Sequence, residues 1–546
     1  MTRPAIPATG SGASPPGWWP VLGGVVAGAA ALVAGELVAT VLVPAGAPVA
    51  AVGGAVIDAL PASLVNWGKE TLGTADKPVL LGIVVLVVLA LAGWAGASEV
   101  RRDGAGSLVL AGLATVAGVA AAVRAESLVA ALPAAVAGVA GVVLLRALTR
   151  RLRAGGAGAR APAPRPGAEA VWNVPGLPIA PVVPASGSGP AGAARRSFLV
   201  WTSATAALTV IGAVALRAWG AAASVVEQTR ALLTLPAPAT TESVPAGAEL
   251  GVDGLSSYRT PNATFYRIDT ALRVPVVDAD TWTLRITGLV EQEVTVTFAE
   301  LLAMPLVEHA ATLACVSNPV GGDLVGNATW LGLPIRELLA RAGPLPGADM
   351  VLSTSEDGWT AGTPLEALTD PDREALLAVG MNGEPLPVEH GFPVRMVVPG
   401  LYGYVSATKW VRELRVTTFA DDQGYWTPLG WAALGPVKTA SRIDVPKRGS
   451  DVAAGPVVVA GVAWDQHTGI ARVEVGIDGE WRDAELAEVT GPDTWRQWRL
   501  DWVATSGRHE IAVRATNSDG ETQTSDIASP APDGATGWHT VVLEVS

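Results

Sequence analysis

Cysteine and histidine are scarce in this chain of 546 residues, which contains one cysteine, Cys315, and five histidines. A single cysteine cannot form an intrachain disulfide, so the fold has no covalent cross-link of that kind. No histidine precedes His309, and no C-x-x-C-H motif occurs anywhere. The first 308 residues therefore cannot supply a bis-histidine haem site, and we expect no haem in the protein. A zinc site built from several cysteine and histidine ligands also has few candidates.

Positive charge is scarce in the second part of the chain. Residues 1–230 carry 16 Lys and Arg against 9 Asp and Glu, a net charge of +7, whereas residues 231–546 carry 21 against 41, a net charge of −20. Because a protein that neutralises phosphates needs clustered lysines and arginines, this balance argues against a nucleic-acid partner. An anion bound here would have to be held by a few local arginines.

Long apolar runs, in contrast, are abundant before residue 230. A bilayer crossing takes about 20 residues at helical rise. Five runs meet that length, at about 20–43, 79–98, 106–123, 127–148 and 198–219. A further apolar stretch after the first run contains Asp58 and Pro61, so we interpret it as an interfacial or re-entrant piece. The count of spans is therefore five or six.

The distribution of arginine predicts the orientation of these spans, because loops rich in Lys and Arg stay in the cytoplasm. The arginines that fall on one side are Arg101, Arg102, Arg146, Arg150, Arg151, Arg153, Arg160, Arg165, Arg195 and Arg196. With five spans, everything after about residue 220 lies on the extracytoplasmic side of a cell membrane. The segment "ARRSFLVW" resembles an internal twin-arginine export signal, and it equally fits a stop-transfer flank.

Two further features of the first 257 residues bear on organisation. Glu36 lies inside the first span, where an ionisable group is costly; it is either a structural acid paired within the bundle or a functional group. Residues 151–194 are rich in Ala, Gly, Pro and Arg and are expected to form a flexible cytoplasmic loop. Residues 231–257 are expected to be a second linker.

The remaining chain predicts two domains. From residue 258, short strands such as "WTLRITGL" alternate with helical segments such as "LPIRELLARAG", which indicates an α+β domain over 258–434. After residue 435 only strands separated by Gly, Asp and Asn turns remain, which indicates an immunoglobulin-like β-sandwich over 435–546. Its interleaved tryptophans are expected in the core, and they are Trp464, Trp481, Trp495, Trp498 and Trp502.

Cys315 lies in the polar segment "TLACVSNPVGG". A free exposed thiol outside the cytoplasm is prone to oxidation, so something should protect this one. Three interpretations remain open from the residues alone: an inert buried thiol, a nucleophile, or a metal ligand. A nucleophile needs a base, and His309 is the nearest histidine in sequence. A metal carried by an organic cofactor needs only one protein thiolate.

Several motifs, in order, resemble the sulfite oxidase family of molybdopterin enzymes. The resemblance covers about residues 258–546. The motifs that carry it are "FYRID" (265–269), "TLACVSN" (312–318), "WLGLPIRELL" (330–339) and "MNGEPLPVEHGFPVRMVVPGLYGYVSATKWV" (381–411). The resemblance implies a molybdopterin-binding oxidoreductase domain over 258–434, a dimerisation domain over 435–546, and a homodimer.

The resemblance also implies roles for individual residues. Cys315 would supply the thiolate that ligates molybdenum in Mo-molybdopterin, a soft ligand for a redox-active metal. Arg267 would stand beside the metal and bind an oxyanion through its planar guanidinium. The residues implied to hold the pterin and its phosphate are Tyr266, Asn318, His390, Arg395, Ser406 and Lys409.

The chain departs from the family pattern at several of these positions. Where sulfite-oxidising members usually read Arg-Asn-His, this chain reads Arg267, Ile268 and Asp269. After the cysteine the family often has Ala-Gly-Asn-Arg, and here Pro319 replaces the arginine. These changes leave the cofactor plausible and weaken the case for sulfite as the substrate.

The active-site tyrosine of vertebrate members falls in the segment "DDQGYWTPLGW" of this chain. The best alignment places Trp431 at that position, and Tyr425 lies nearby but is shifted.

The implied activity is two-electron oxo transfer on a small oxyanion or an S-oxide. Since no haem motif is present, electrons must pass to a separate carrier, either a cytochrome or a membrane redox partner. Two other classes stay open. One is a membrane-anchored scaffold with a degenerate, cofactor-free domain, and the other is a solute transporter, which the scarcity of intramembrane polar residues weakens.

Overall fold

A computed structural model of the chain forms two compact units, which divide between Ala221 and Ala222. The residues that it describes are 17–43, 46–61, 64, 68, 71–72, 75–125, 127–157, 190–219, 221–271 and 274–546.

Apolar helices make up the first unit. Its helices are α1 (Trp19–Leu42), α2 (Pro48–Ala59), α3 (Asp76–Arg101), α4 (Ala105–Arg124), α5 (Leu132–Ala157) and α6 (Pro190–Trp219). All but α2 contain stretches long and apolar enough to cross a membrane, which gives five candidate spans in the described part of the chain. The loop expected at 151–194 is narrower than predicted, because α5 and α6 extend into it, and residues 158–189 lie outside the described residues.

Small residues bring the helices of this unit into close contact. A Cβ on Gly24 would lie 2.1 Å from the Ala92 carbonyl oxygen, and one on Gly106 would lie 2.0 Å from that of Ala95. Backbones of α1, α3 and α4 therefore approach at positions that only glycine allows, as in membrane helix pairs.

Glu36 is buried, and its carboxylate accepts a hydrogen bond of 3.1 Å from the backbone N–H of Val49. Val49 lies in the first turn of α2, whose N–H groups have no partner within the helix. A negative charge at a helix N-terminus is also favoured by the helix dipole. This contact supports the structural interpretation of Glu36, since the carboxylate caps the short helix that contains Asp58.

Two β-sheets and four short helices form the first domain of the second unit. The helices of this unit are α7 (Ala221–Leu232), α8 (Phe298–Leu302), α9 (Ile335–Ala342), α10 (Leu365–Thr369) and α11 (Gly403–Ser406). The strands of the first domain are β1 (Thr283–Gly288), β2 (Val294–Thr297), β3 (Val307–Ala314), β4 (Val325–Pro334), β5 (Met350–Ser355), β6 (Thr360–Pro364), β7 (Leu376–Met381), β8 (Glu384–Pro385), β9 (Arg395–Val397) and β10 (Val411–Thr417).

One sheet has the order β2-β1-β10-β5-β6, with β1 and β10 parallel. The other has the order β3-β4-β7-β8, and β9 also pairs with β7. Buried side chains of both sheets share one apolar core, which includes Leu284 and Ile286 of β1 and Leu333 of β4. Each fully buried side chain of this kind stabilises the fold by about 1.5–3 kcal/mol. The mixed α and β domain expected from the sequence is therefore present.

A β-sandwich follows. Its strands are β11 (Ala440–Val445), β12 (Asp451–Val452), β13 (Gly455–Trp464), β14 (Ile470–Ile477), β15 (Glu480–Asp483), β16 (Glu485–Leu486), β17 (Arg496–Ala504), β18 (Gly507–Asn517) and β19 (His539–Val545). The sheets have the orders β11-β13-β17-β16 and β12-β19-β18-β14-β15. The strand pattern read from the sequence is confirmed.

The tryptophans of the sandwich do not all lie in its core, contrary to the expectation. Trp498 and Trp502 pack inside the sandwich. Trp464 and Trp495 instead belong to an apolar cluster that includes Ala314 and Val316, on either side of Cys315. Trp481 is half-buried, with the Arg514 guanidinium 4.2 Å from its ring centre. A strand with two non-equivalent faces places alternate tryptophans in different environments, which a list of tryptophans cannot reveal.

Residues 231–257, expected to be a linker, pack along both domains. Ala239 N donates to the Leu306 carbonyl at 2.7 Å, and Glu308 N donates to the Thr240 carbonyl at 2.9 Å. Further on, Ala248 is fully buried in the apolar cluster that contains Trp464 and Trp495. The segment connects the units in sequence, but its backbone is held by regular contacts.

Strand β3 is fastened to the sandwich at Thr312, three residues before Cys315. Thr312 N donates to the Asp493 carbonyl at 2.9 Å, and Thr312 Oγ1 accepts from Trp495 N at 2.7 Å. The Gln466 side chain donates to the Thr312 carbonyl at 3.0 Å. Both domains therefore fix the backbone that leads to the cysteine.

Alternating acids and bases extend this attachment. His309 lies between Asp493 (Nε2 to Oδ2, 2.8 Å) and Glu242 (Nδ1 to Oε2, 3.4 Å). His467 lies between Asp493 (3.5 Å) and Asp370 (3.7 Å). Burial by itself would lower the pKa of His309, but its hydrogen bonds to Asp493 and Glu242 outweigh burial and raise that pKa to about 9. The imidazolium form therefore bridges the two domains near neutral pH.

We expect the stability of this contact to decrease at alkaline pH. The pKa of His309 is raised in the folded state, so its contribution is present in full below the unfolded-state value of 6.5 and is lost as pH rises through about 9. The loss is on the order of 3 kcal/mol at most, or several degrees in melting temperature.

Thermal melts of the full-length protein in detergent, at pH 6.5 and 9.5, measure the effect. The wild type should lose several degrees more than His309→Gln over this range. Equal losses for the two proteins would show that His309 does not carry charge across this contact.

Candidate active site

The loop after β3 holds Cys315 in a fixed turn. Cys315 N donates to the Leu324 carbonyl at 2.9 Å, and the Cys315 carbonyl accepts from Asn318 N at 3.0 Å. The Asn318 side-chain oxygen accepts from Leu324 N at 2.9 Å, which closes the loop from the other side. Cys315 is buried, with 8% of its surface exposed. The thiol therefore belongs to a rigid loop and is shielded from solvent.

The sandwich also contacts the far end of this loop. Arg442 donates through Nη1 to the Gly322 carbonyl at 2.8 Å, while its Nε forms an ion pair of 2.6 Å with Asp444. With the Thr312 contacts before the cysteine, the loop is held on both sides by the C-terminal domain.

Arg395 places a positive charge in a fully enclosed position. Its guanidinium donates to three backbone carbonyls, those of Met396 (3.3 Å), His390 (3.2 Å) and Ala407 (3.5 Å), and it lies 5.2 Å from the ring centre of Trp330. Burial lowers the pKa of Arg395 to about 10, so the group is still charged at neutral pH. Within the described parts of the chain, no carboxylate forms an ion pair with it.

His390 stands beside this guanidinium as a neutral ring. Burial, then the charge of Arg395, lowers the pKa of His390 to about 4. Its Nε2 lies 3.0 Å from the Asn262 carbonyl, an acceptor only, so Nε2 carries the proton and donates. Nδ1 is consequently an acceptor, which suits an N–H donor of a ligand.

Lys409 is half of a buried ion pair. Its Nζ lies 2.6 Å from Asp269 Oδ2 and donates to the Glu389 carbonyl at 3.2 Å. Asp269 is one of the positions where the sequence departs from the family pattern. In the structure its carboxylate forms the ion pair with Lys409. Gly391, at φ +114°, packs against this lysine, since a Cβ there would lie 3.2 Å from the Lys409 Cα.

Tyr266 lies within electrostatic range of both Cys315 and Arg395. Its ring stacks on Phe265 with centres 5.3 Å apart. Burial raises the pKa of the Tyr266 phenol, the charge of Cys315 raises it further, and Arg395 opposes the shift. The three side chains are thus close enough to influence one another electrostatically. Ser406 is fully buried, and its hydroxyl donates to the Tyr402 carbonyl at 2.9 Å, so it closes the turn of α11.

The three residues that the sequence analysis placed around the substrate have different surroundings in the structure, although Trp426 contacts the rings of both Tyr425 and Trp431. Arg267 is exposed and has no hydrogen-bond or ion-pair partner among the described residues. Trp431 packs at the edge of the apolar cluster that contains Ala314 and Val316. Tyr425 lies against β6, where its N–H donates to the Thr360 carbonyl at 3.0 Å. Of the two aromatic candidates, only Trp431 shares a cluster with the neighbours of the cysteine.

Three residues of the site were missed by sequence reasoning. Thr312 and Arg442 fix the loop, and Tyr402 lies beside it, buried with 6% of its surface exposed. Thr312 and Tyr402 lie inside the motifs that carry the family resemblance, so their positions in the sequence could have indicated a place in the site. Arg442 lies in a different domain, and nothing in its local sequence marks it.

The residues present fit the pterin cofactor that the resemblance implies. A guanidinium that is buried without a carboxylate is costly unless an anion accompanies it. The Arg395 side chain is such a group, and His390 adds an acceptor beside it. An anionic group with N–H donors would satisfy both, and Cys315 offers a soft thiolate to a metal within the same neighbourhood.

We expect Arg395→Gln to separate cofactor retention from stability. The amide keeps donors for the backbone carbonyls but removes the charge, so retention of the pterin should fall at least about tenfold, the weight of hydrogen bonds to a charged group. The melting temperature of cofactor-free protein should stay equal or rise, because a buried charge is removed.

Pterin released by denaturation and measured by its fluorescence, together with thermal melts, gives both quantities. Arg341→Gln, at an exposed arginine on α9, is the matched control and should change neither. Wild-type retention in Arg395→Gln would contradict an anion-binding role for Arg395.

Comparisons with known proteins agree with this site. Residues 271–426 match the family described as oxidoreductase molybdopterin binding domain, and residues 440–513 match the family described as bacterial Ig domain. The first match contains Cys315, His390, Arg395 and Lys409, and the second begins at the first strand of the sandwich.

Three relatives illustrate the likeness. Mitochondrial sulfite oxidase of Homo sapiens is 30% identical over 345 residues, which covers 53% of this chain and 62% of that enzyme. Nitrate reductase [NADH] 2 of Phaseolus vulgaris is 27% identical over 319 residues, 46% of this chain and 36% of that enzyme. The solved structure of sulfane dehydrogenase SoxCD from Paracoccus pantotrophus has 25% identity and a TM-score of 0.46, over 56% of this chain and 90% of that one.

The chain covers 62% of the length of the human sulfite oxidase and 55% of that of the Rattus norvegicus enzyme. The residues that match the molybdopterin-binding family, 271–426, contain the cysteine loop, Arg395 and Lys409. The chain therefore contains an oxidoreductase molybdopterin-binding domain and is similar, over about half of its length, to sulfite oxidases.

Proposed function

We propose that the protein is a membrane-anchored molybdenum-dependent oxidoreductase that transfers an oxygen atom, with two electrons, to or from a small oxyanion or S-oxide. The observation that carries the proposal is the pairing of one shielded thiol, Cys315, with a buried, carboxylate-free guanidinium, Arg395. A metal–pterin cofactor satisfies both at once. An inert thiol would account for the first and leave the second unexplained.

The proposal assigns a role to each residue of the site. Cys315 holds the metal. Arg395, Lys409 and His390 hold the anionic and N–H-bearing parts of the pterin, with Tyr266, Asn318 and Ser406 shaping the walls. Arg267 is an exposed cation available to an anion, Trp431 packs beside the neighbours of Cys315, and Tyr425 lies against β6.

When bound, the cofactor supplies two-electron oxygen exchange, and the protein supplies orientation and electrostatics. The rigid turn around Cys315 keeps the thiolate in one position, because Asn318 and Leu324 close the loop by hydrogen bonds. Arg395 neutralises negative charge without reorganisation, since it is already ordered, and Lys409 adds an N–H donor from within its ion pair with Asp269. Burial of the thiol excludes water and oxidants.

Membrane attachment and topology belong to the same proposal. Five helices are compatible with spans, and the arginine distribution favours a cytoplasmic location for the loop between α5 and α6. The catalytic unit then lies on the extracytoplasmic side. Because the sequence lacks a haem attachment motif, a separate cytochrome or membrane redox partner takes or supplies the electrons.

We expect Cys315→Ala to abolish oxo transfer while the fold is kept. The substitution removes one sulfur from the metal and replaces a buried thiol by a hydrogen atom on the same Cβ, so the melting temperature should stay within a few degrees. X-ray absorption at the molybdenum edge should count one sulfur neighbour fewer than in the wild type.

Metal analysis of the wild type, expressed in a host that makes the cofactor, is the control for this variant. Turnover retained by Cys315→Ala would refute the ligand role. Wild-type protein without molybdenum would favour the scaffold instead.

We further propose a homodimer through the sandwich domain, as the resemblance implies. Light scattering of the full-length protein in detergent, corrected for bound detergent, should give twice the 55.5 kDa of the chain. A protein mass of one chain at micromolar concentration would reject the dimer.

A further inference from the structure

A partly enclosed cavity of about 30 Å³ lies beside the cysteine loop, between the two domains of the second unit. The loop residues Ala314 and Asn318, which flank Cys315 in sequence, form one side, and Tyr402 forms another. Residues 439–441 and 535–537 of the sandwich complete it. On this scale the cavity has room for about two waters, or for the oxygen and central atom of a small ligand.

The lining of this cavity carries no charge. Among the described residues that form it there is no Asp, Glu, Lys, Arg or His. The polar side chains that line it are Asn318, Tyr402, Thr439, Ser441, Gln523 and Thr536. Val320 and Pro319 occupy the loop on the cysteine side. Such a lining offers hydrogen bonds but no ion pair to a ligand.

The cations just outside the lining are already neutralised. Lys438 lies 2.9 Å from Asp533, and Arg442 lies 2.6 Å from Asp444. His539, which packs on Gly321, accepts a hydrogen bond from Ile443 N through Nδ1, and burial lowers its pKa, so its ring is neutral. A dianion placed in this cavity would therefore lose its hydration without gaining a countercharge.

Tyr402 supplies the donor that a neutral oxygen needs. It is buried, and its Oη accepts a 3.4 Å hydrogen bond from Lys438 N. No described residue accepts the Tyr402 hydroxyl proton. Burial raises the pKa of Tyr402 to about 12, so the phenol stays protonated at neutral pH.

We propose that this cavity binds the oxygen-bearing group of an uncharged substrate, a sulfoxide or a similar neutral oxide, with Tyr402 Oη donating to its oxygen. The proposal rests on the function proposed above, in which Cys315 holds the metal, and it chooses the S-oxide over the oxyanion. Tyr402 is then a further substrate-binding residue.

The balance of the reaction is that of a reduction. The sulfur–oxygen bond breaks, the sulfide leaves, and the oxygen leaves as water after two protons and two electrons have been added. A reduced one-electron carrier delivers the electrons in two steps.

A pair of non-reacting probes tests the charge preference directly. Dimethyl sulfone is uncharged and methanesulfonate is an anion of similar shape, and both carry methyl protons for ligand-observed saturation-transfer NMR on the full-length protein in detergent. We expect the wild type to bind dimethyl sulfone at least tenfold tighter than methanesulfonate. Equal or tighter binding of methanesulfonate would overturn the proposal.

Two variants assign the preference to this cavity. Val320→Arg introduces a cation into the lining and should raise the affinity for methanesulfonate at least tenfold over Val320→Met, which has similar length and no charge. Tyr402→Phe should weaken dimethyl sulfone binding about threefold to tenfold, the weight of one hydrogen bond, with molybdenum content unchanged. Sulfone binding that is insensitive to both positions would place it elsewhere and reject the proposal.

The outcomes separate this inference from the proposed function. Protein that contains molybdenum and turns over sulfite but prefers methanesulfonate keeps the function and loses the neutral substrate. Protein without molybdenum that still prefers the sulfone loses the function and keeps the character of the cavity.

Discussion

The attachment of strand β3 to the β-sandwich is the contact on which the site depends. Thr312 is hydrogen-bonded to Asp493, Trp495 and Gln466, and the next three residues of the chain lead directly to Cys315. The hydrogen bonds use the N–H, the carbonyl and the hydroxyl of Thr312. A rotation or a shift of the strand would therefore break all of them. The β-sandwich therefore helps to set the position of the thiol, although the thiol belongs to the other domain. The sandwich therefore contributes to the chemistry through geometry.

Much of the fold was predictable because its signals are local. The five apolar helices follow from run length, and the strands of the sandwich follow from alternation between turn residues. The cysteine and the cationic residues were found through a long ordered set of motifs. What the sequence did not reveal depends on contacts between distant segments: the split of the tryptophans between two clusters, the packing of residues 231–257, and the ion pair of Lys409 with Asp269.

The electrostatics of the site show why residue type alone is a poor guide to role. Positions 395, 442 and 267 are all arginines, and all three lie in the second unit. Arg395 is buried, and its hydrogen-bond partners are neutral carbonyls, so its charge is available to a ligand. Arg442 forms an ion pair with Asp444 and a hydrogen bond to the loop, and Arg267 faces solvent. Only burial and partners distinguish them, and both come from tertiary structure. The same argument applies to Asp269, because its ion pair makes Lys409 less available to an anionic ligand.

The packed course of residues 231–257 also has a mechanical consequence. A tether that is free along 25 residues lets a catalytic head sweep a wide radius, as swinging carrier domains do. Here the segment after α7 is fixed by backbone hydrogen bonds at Ala239 and Thr240 and by the burial of Ala248. It therefore cannot act as a free tether. The segment moves with the second unit and gives it no independent reach.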